Sequence, residues 1–565
     1  MHSQCGSVSD LLGNIPPSTS TAVVIRRYPT GSTITQDTLY GRKDTFEETV
    51  SRITSGKPTV STFLIAGPGG IGKTTFTQHL YNDHRTKEHF EVRVWVCVST
   101  DFNVLKLTRE ILGCIPATEG DGSSGVANER TNLDQLQISI KHRLKSKRFL
   151  IVLDDLWACG GEDQWENLLA PFTNGQVKGS MVLVTTRFPR LAQIMKTTEL
   201  LKLAGLESND FFTFFEACIF GVDKPEDYDD DLAGTARKIA NKLKGSPLAA
   251  KTVGRLLQKR LSQEHWNGVL KKDEWLKQKN DYDIMPSLKI SYDYLPFDLK
   301  KCFSYFGLFP EDHRFDSAEI NRLLVAIGIV DSTHQVNRNY LEELVDNGFL
   351  MKGSDDGYEY YVMHDLMHQL CQRVSAEECL NISDLDFRAD DIPQSVRHLS
   401  ITIEDTYDEI FEEEMYKLRG RIEIANLRTL MIFREYEERI SKLLKDCFEE
   451  INSLRVLFIV VDSPESFPHR FSKLIHLQYL KIGSSWSDTA MSLPSTISRF
   501  YHLKFLDQDD WHGSYDLPGD FWHLENLHDL SAAKKSTPIF EMLERSSIYR
   551  GLKNSMLRRR AWDLN

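Results

Sequence analysis

The stretch FLIAGPGGIGKTTFTQHL, Phe63–Leu80, constrains the fold more than any other part of this 565-residue chain. An apolar run leads into a loop carrying Gly67, Gly69, Gly70 and Gly72, with Ile71 between the last two, and then into Lys73, Thr74 and Thr75. Two glycines five positions apart, followed by lysine and a hydroxyl residue, fit the phosphate-loop pattern, which requires a strand before it and a helix after it. The glycines let backbone N–H groups converge on phosphate oxygens at the positive end of that helix. Lys73 would reach the terminal phosphates, and the Thr74 hydroxyl would hold Mg²⁺. A plain strand–turn–helix junction is the competing reading, because glycine also marks ordinary turns.

Four apolar runs, at 62–67, 92–98, 149–157 and 180–186, are separated by helix-length amphipathic segments. Continuous apolar strands in this alternation predict an α/β fold, a parallel sheet covered on both faces. Ligands of such sheets bind beyond the carboxyl ends of the strands. FLIVLDDLW ends a strand in two carboxylates. Asp154 is placed to bind Mg²⁺ through its water shell, and Asp155 to orient an attacking water. Arg187 closes VLVTTR, where it either senses the terminal phosphate or lies on the surface. Pro247, in GSPLAA, either packs against a base or starts the next helix. His364 and Asp365 lie in VMHDLMHQL, whose apolar positions share one helical face; composition alone leaves His364 a structural histidine.

After about residue 205 helical periodicity takes over, with a second helical block from about 285 to 375. Beyond 390 the leading leucines of LRTLMI, LRVLFI, LQYLKI, LKFLDQ and LHDLSA fall at 427, 454, 477, 503 and 527, intervals of 27, 23, 26 and 24 residues. FPHRF, LPSTI and LPGDF each start ten residues before the next leading leucine. These periods lie within the range of leucine-rich repeats, against the alternative of chance leucine spacing in a helical domain. Length alone calls for several domains. The net charge of −13 disfavours nucleic acid as a main partner. KHRLKSKR, Lys141–Arg148, reads as the solvated end of a helix. Nine cysteines without paired metal spacing fit reduced thiols, with Cys97, Cys218 and Cys302 packed in cores. No apolar run approaches a membrane span of about 20 residues, so a cytoplasmic, or also nuclear, location is expected.

In this order the segments resemble the nucleotide-binding domain of plant intracellular immune receptors, the NB-ARC family of switch ATPases, followed by leucine-rich repeats. The resemblance covers roughly residues 38 to 535. It rests on LYGRKD, GPGGIGKTT, LIVLDDLW, GSMVLVTTR, GSPLA, the winged-helix signature CFSYFGLFPED at 302–312 and the Met-His-Asp motif at 363–365. Trp157 after the acidic pair is the form found in receptors of the non-Toll class. A composition rich in Pro, Ser, Thr and Gly predicts a disordered tail at 1–37, and the resemblance implies a nucleotide-binding domain at 38–203, a helical domain at 204–285, a winged-helix domain at 286–388, repeats at 389–540 and a tail at 541–565. About 37 residues before the binding domain are too few for a coiled-coil or Toll-like domain, and the short repeat array shows no evident polar cap. Two departures stand out: Ser246 replaces a leucine, and Leu324 and Ile327 replace the usual tryptophan and glutamate.

By the same resemblance, Lys73, Thr74, Thr75, Asp154, Asp155 and Arg187 handle phosphates and Mg²⁺. Tyr40 and Arg42 flank the base or ribose, Pro247 packs on adenine, and His364 touches the ADP β-phosphate. His364 and Asp365 then form the switch: ADP holds a closed state, and exchange for ATP opens the chain toward a homo- or hetero-oligomer. Hydrolysis would be slow and would serve to reset the switch. The repeats would meet a pathogen effector or a host protein, or hold the chain shut. Two alternatives are a turnover enzyme such as a motor or nucleotide kinase, and a regulatory partner of a longer receptor. DNA binding by the winged helix fits poorly with the acidic balance.

Overall fold

In the computed structural model, most residues between 31 and 532 are described, with breaks that include 118–131, 436–450, 462–473 and 509–514. The first sheet is parallel, in the order β2-β3-β4-β1-β5: β1 is Ser61–Ala66, β2 Val92–Cys97, β3 Phe149–Leu156, β4 Met181–Thr186 and β5 Glu199–Lys202. The first four strands match the four apolar runs. β5 is short and half-buried, which is why ELLK gave no signal. Alternate residues point to opposite faces. Phe63, Ile65, Leu150, Val152 and Leu183 pack on one side. Leu64, Val94, Ile151, Leu153 and Val184 pack on the other. Both faces are buried, so the strands read as unbroken apolar runs, and Gly67, Asp154 and Arg187 fall at or near their carboxyl ends.

Four helices follow, at Ser208–Phe220, Asp230–Lys242, Pro247–Gln258 and Gln263–Leu270. Next comes a winged-helix unit: helices Met285–Asp293, Phe297–Phe306, Ser317–Ile327 and Tyr340–Asp346, an antiparallel hairpin of β6 (Met351–Asp355) and β7 (Tyr358–Val362), and the helix Asp365–Ser375. The family's tryptophan and glutamate positions are filled by Leu324, fully buried, and Ile327, nearly so.

A second parallel sheet joins β8 (Cys379–Ile382), β9 (His398–Ile401), β10 (Thr429–Glu435), β11 (Val456–Val461), β12 (Tyr479–Ser484), β14 (Phe505–Gln508) and β16 (Asp529–Ala532) in chain order; β13 (Met491–Ser492) pairs with β15 (Tyr515–Asp516) beside it. Each leucine motif supplies one strand. The sheet already begins at Cys379, ten residues before the expected boundary at 389, because CLNI carries no repeat signature. The FPHRF, LPSTI and LPGDF segments lie largely outside the described residues, as do residues 1–30 and 541–565 of the two expected tails. Within the first of these tails, Gln78 and Asn82 donate to the carbonyls of Gly31 and Ser32, so the chain is docked before residue 38.

One face of this sheet is not open. Met431, Val456, Phe458 and Tyr479 belong to the same apolar core as the winged-helix unit. Charges cross that contact. Arg322 Nη1 lies 2.8 Å from Asp507 Oδ2, which also accepts from the Tyr479 hydroxyl at 3.1 Å. Glu319 is held by Lys481 at 2.7 Å and His313 at 3.2 Å; these partners keep its carboxyl well below the ordinary range, against the opposing effect of burial.

His398 bridges the same seam, between Tyr305 Oη at 3.3 Å and Thr429 Oγ1 at 2.8 Å. Burial lowers its pKa to about 3, with Arg428, Lys301, Arg397 and Arg455 adding repulsion. Below pH 6.5 the unfolded chain takes up a proton that the folded chain refuses, so stability falls as pH falls. Between pH 7 and 5.5 this one histidine costs about 1 kcal/mol. The melting temperature should drop over that interval, and His398→Gln should make the drop shallower. An equal drop in both proteins would contradict this.

Candidate functional site

The phosphate loop leaves β1 at Ala66 and enters the helix Lys73–Asn82 through Gly72, which caps it at φ +92°. Gly70 also has positive φ, +71°, and an added Cβ there would lie 2.9 Å from Leu248 Cβ. Glycine meets both demands. Ile71 is buried under the loop, while Thr75, one position past Thr74, is half-buried. Lys73 is 7% exposed and bends back to donate to the carbonyls of Gly67 (2.9 Å) and Pro68 (3.0 Å). Burial lowers its pKa to about 8, Asp155 opposes that shift, and Arg187 adds to it.

Asp154, fully buried, lies two residues before the end of β3 among hydroxyls: Thr74 Oγ1 donates to its Oδ2 at 3.0 Å and Thr185 Oγ1 to its Oδ1 at 2.5 Å. Thr185 also accepts from the Asp155 backbone N–H at 2.8 Å. The β3–β4 register shifts between Leu153 and Leu156, and in that irregularity Asp155 takes φ +54°. Its carboxylate accepts from Trp157 Nε1 at 3.1 Å and lies 4.0 Å from Arg187 Nε. Arg187 in turn sits 4.5 Å over the Trp157 ring. Thr74 and Asp154 form an oxygen donor set of the kind Mg²⁺ takes. Among the described residues no group of three or more His, Cys, Asp or Glu side chains could hold a metal. A cation here would therefore draw on Thr74, Asp154 and phosphate oxygens.

Two other units close over the loop. The Ser246 hydroxyl donates to the Gly70 carbonyl at 3.3 Å and caps the helix that Pro247 starts; the Leu248 N–H donates to the same carbonyl at 3.2 Å. Serine in place of the family's leucine thus gains a bond to the loop. Pro247 Cγ would lie 3.9 Å from a Cβ on Gly72. From the winged-helix unit, Leu366 would lie 3.0 Å from a Cβ on Gly69, and Asp365 pairs with Arg187. His364 caps the helix Asp365–Ser375 by accepting from the Leu366 N–H. Loss of hydration lowers its pKa to about 3, with Arg187, Lys73 and Lys251 contributing repulsion, so the ring is neutral at physiological pH.

Lys73, Thr74, Asp154, Asp155, Arg187, Pro247, His364 and Asp365 thus converge around one loop. Tyr40 and Arg42 are engaged differently. The Tyr40 ring is 5.1 Å from Phe214, and Arg42 donates to the Ala204 carbonyl, so both brace the chain leaving β5. Sequence reading did not single out Thr185 or Lys251, and took Leu366 only as part of an apolar helical face with Val362 and Leu370. The paired threonines of VLVTT were the one available signal, since the first is buried at a strand end.

A family model for the NB-ARC domain matches residues 42–224. A second, for the disease resistance protein winged helix domain, matches 308–371. The chain carries an NB-ARC domain and a disease resistance winged helix domain, and its relatives are plant disease resistance proteins. RPP13-like protein 1 of Arabidopsis thaliana, a disease resistance relative, is 30% identical over 85% of this chain and 45% of its own length. The disease resistance protein RGA2 of Solanum bulbocastanum is 35% identical over 61% of this chain and 35% of its own. This NB-ARC chain therefore spans less than half the length of these relatives. Among solved structures, a signal transduction ATPase with a tetratricopeptide repeat sensor from Pyrococcus horikoshii aligns with 60% of this chain and 43% of its own at a TM-score of 0.38 and 16% identity, and adds nothing on function. Among the described residues no helix is long and apolar enough to cross a membrane.

Proposed function

We propose that this NB-ARC chain is an adenine-nucleotide switch of plant innate immunity, closed with ADP and opened by exchange for ATP. The observation that carries the proposal is the convergence on one loop: Gly70 is bonded by Ser246 and Leu248 of the helical unit, while Arg187 beside the loop is paired with Asp365 of the winged-helix unit. A loop contacted by two other units can report its occupant to both. Lys73 and the loop N–H groups would hold the phosphates, Thr74 and Asp154 would hold Mg²⁺, and Mg²⁺ when bound would neutralise phosphate charge. Asp155 would orient the attacking water during slow, resetting hydrolysis. His364, uncharged, would meet the β-phosphate as a hydrogen-bonding group, with Tyr40, Arg42 and Pro247 bordering the base. An ATP γ-phosphate would compete with the Asp365 carboxylate for Arg187, and that competition would favour the open state. The repeats would recognise an effector or host protein or maintain the closed state, the open form would associate with further receptor chains, and the site of action would be the cytoplasm or nucleus.

Asp365→Val should release labelled ADP about tenfold faster than the parent chain, since a closed-state contact of about 1.4 kcal/mol shifts the closed/open ratio by that factor. Equal off-rates would remove Asp365 from the switch. Rapid steady-state turnover by the parent would favour the turnover-enzyme reading instead.

A further inference from the structure

Trp157 touches both the acid and the arginine of this site. Its Nε1–H donates to Asp155 Oδ2 at 3.1 Å, and its ring face carries the Arg187 guanidinium at 4.5 Å. Trp165 offers a contrast: fully buried, it packs at 6.4 Å from Phe102 and, among the described residues, its Nε1 has no hydrogen-bond partner. Trp157 is only half-buried, with a single aromatic neighbour, Phe188, at 6.0 Å among the described ring pairs. Packing is therefore a poor account of an indole at this position.

The backbone adds a second observation. Asp155 holds a left-handed φ of +54°. Such a residue persists when its surroundings over-determine it, and such positions cluster where a side chain must be aimed. Two bonds fix it, one from its own N–H to Thr185 Oγ1 and one from Trp157 to its carboxylate. Thr185 sets the backbone and Trp157 sets the carboxylate.

We propose that Trp157 is a positioning residue with two separable faces: its indole N–H aims Asp155 for hydrolysis, and its ring holds Arg187 where Asp365 can reach it in the closed state. The proposal rests on the switch reading above. In hydrolysis the water oxygen bonds to the γ-phosphorus as the bond to the β–γ bridging oxygen breaks; ADP leaves with that electron pair, and the water proton passes to the departing phosphate oxygens. Asp155 orients the water, so a carboxylate free to rotate slows this step without weakening ADP binding. Arg187 acts in the closed state through Asp365, so losing its ring support frees ADP.

Three full-length proteins test this: the parent, Trp157→Phe and Trp157→Ala. Phenylalanine keeps a ring face for Arg187 and removes the N–H; alanine removes both. Each is assayed for single-turnover phosphate release from ATP, for the off-rate of labelled ADP, and for melting temperature without nucleotide. Loss of a hydrogen bond to a charged group predicts at least about tenfold slower hydrolysis in Trp157→Phe. Its ADP off-rate should stay within about twofold of the parent, whereas loss of the stacked cation predicts about threefold faster ADP release from Trp157→Ala. Hydrolysis at the parent rate in Trp157→Phe, or matching changes in both variants that track melting temperature, would overturn the two-faced role. A parent chain that binds no adenine nucleotide would instead overturn the reading on which it rests.

Discussion

Lys73→Ala should come through purification without bound nucleotide. Lys73 is 7% exposed, burial lowers its pKa to about 8, and its ammonium donates to the carbonyls of Gly67 and Pro68. A buried cation facing phosphates contributes about 3 kcal/mol, so its removal should weaken ADP binding more than a hundredfold. Because ligand that binds only the folded chain stabilises it by mass action, added ADP should raise the melting temperature of the parent and leave the variant where it was. Alanine also relieves the cost of burying the ammonium, so the ligand-free variant should melt no lower than the ligand-free parent. Full ADP occupancy in the variant would contradict the phosphate-loop assignment.

Asp507→Ala should produce the largest loss of stability of any single change considered. Arg322 and Asp507 are 8% and 2% exposed, and their bond joins the helix Ser317–Ile327 to β14. Removing one partner of a buried ion pair costs about 3–5 kcal/mol, because the other charge stays in a poorly hydrated place. The winged-helix unit and the sheet should then separate more readily, seen as earlier protease cleavage at the link between Ser375 and Cys379 and a lower melting temperature. Replacing both charges, Arg322→Met with Asp507→Leu, should recover part of the loss, since no charge is then left buried, although the Tyr479 hydroxyl loses its Asp507 acceptor. A single variant as stable as the parent would show that the pair does not hold the two units together.

The parts of the site legible in the sequence are those fixed by local spacing. Gly67 to Thr74 and Asp154–Asp155 each lie within a few residues of one strand end, so a pattern of neighbouring residue types suffices. The contacts that would make the site a switch are not local: Ser246 meets Gly70 and Asp365 meets Arg187 across 176 and 178 residues, distances along the chain that no local period records. Resemblance supplied His364 and Asp365, but their partners came only from the fold. Lys141, His142 and Lys145 are exposed at the end of the helix Leu133–Arg143, as expected for a solvated helix end, but the same limit hid the role of Arg143. Arg143 is 8% exposed and donates to the carbonyls of Leu112 and Ile115, at the end of the helix Val104–Cys114. A basic run has no way of announcing that one of its members caps a distant helix. Cys302 is fully buried as expected, but Cys97 and Cys218 are only half-buried.

Hydrogen exchange of the helix Asp365–Ser375, compared between the ADP-bound chain and the chain bound to a non-hydrolysable ATP analogue, tests the switch most directly. If Asp365 holds Arg187 with ADP bound and gives it up to the γ-phosphate, amides near Leu366 should exchange slowly with ADP and at least about tenfold faster with the analogue. Equal protection in the two states, with both nucleotides shown to be bound, would contradict a nucleotide-controlled contact between the winged-helix unit and the phosphate loop.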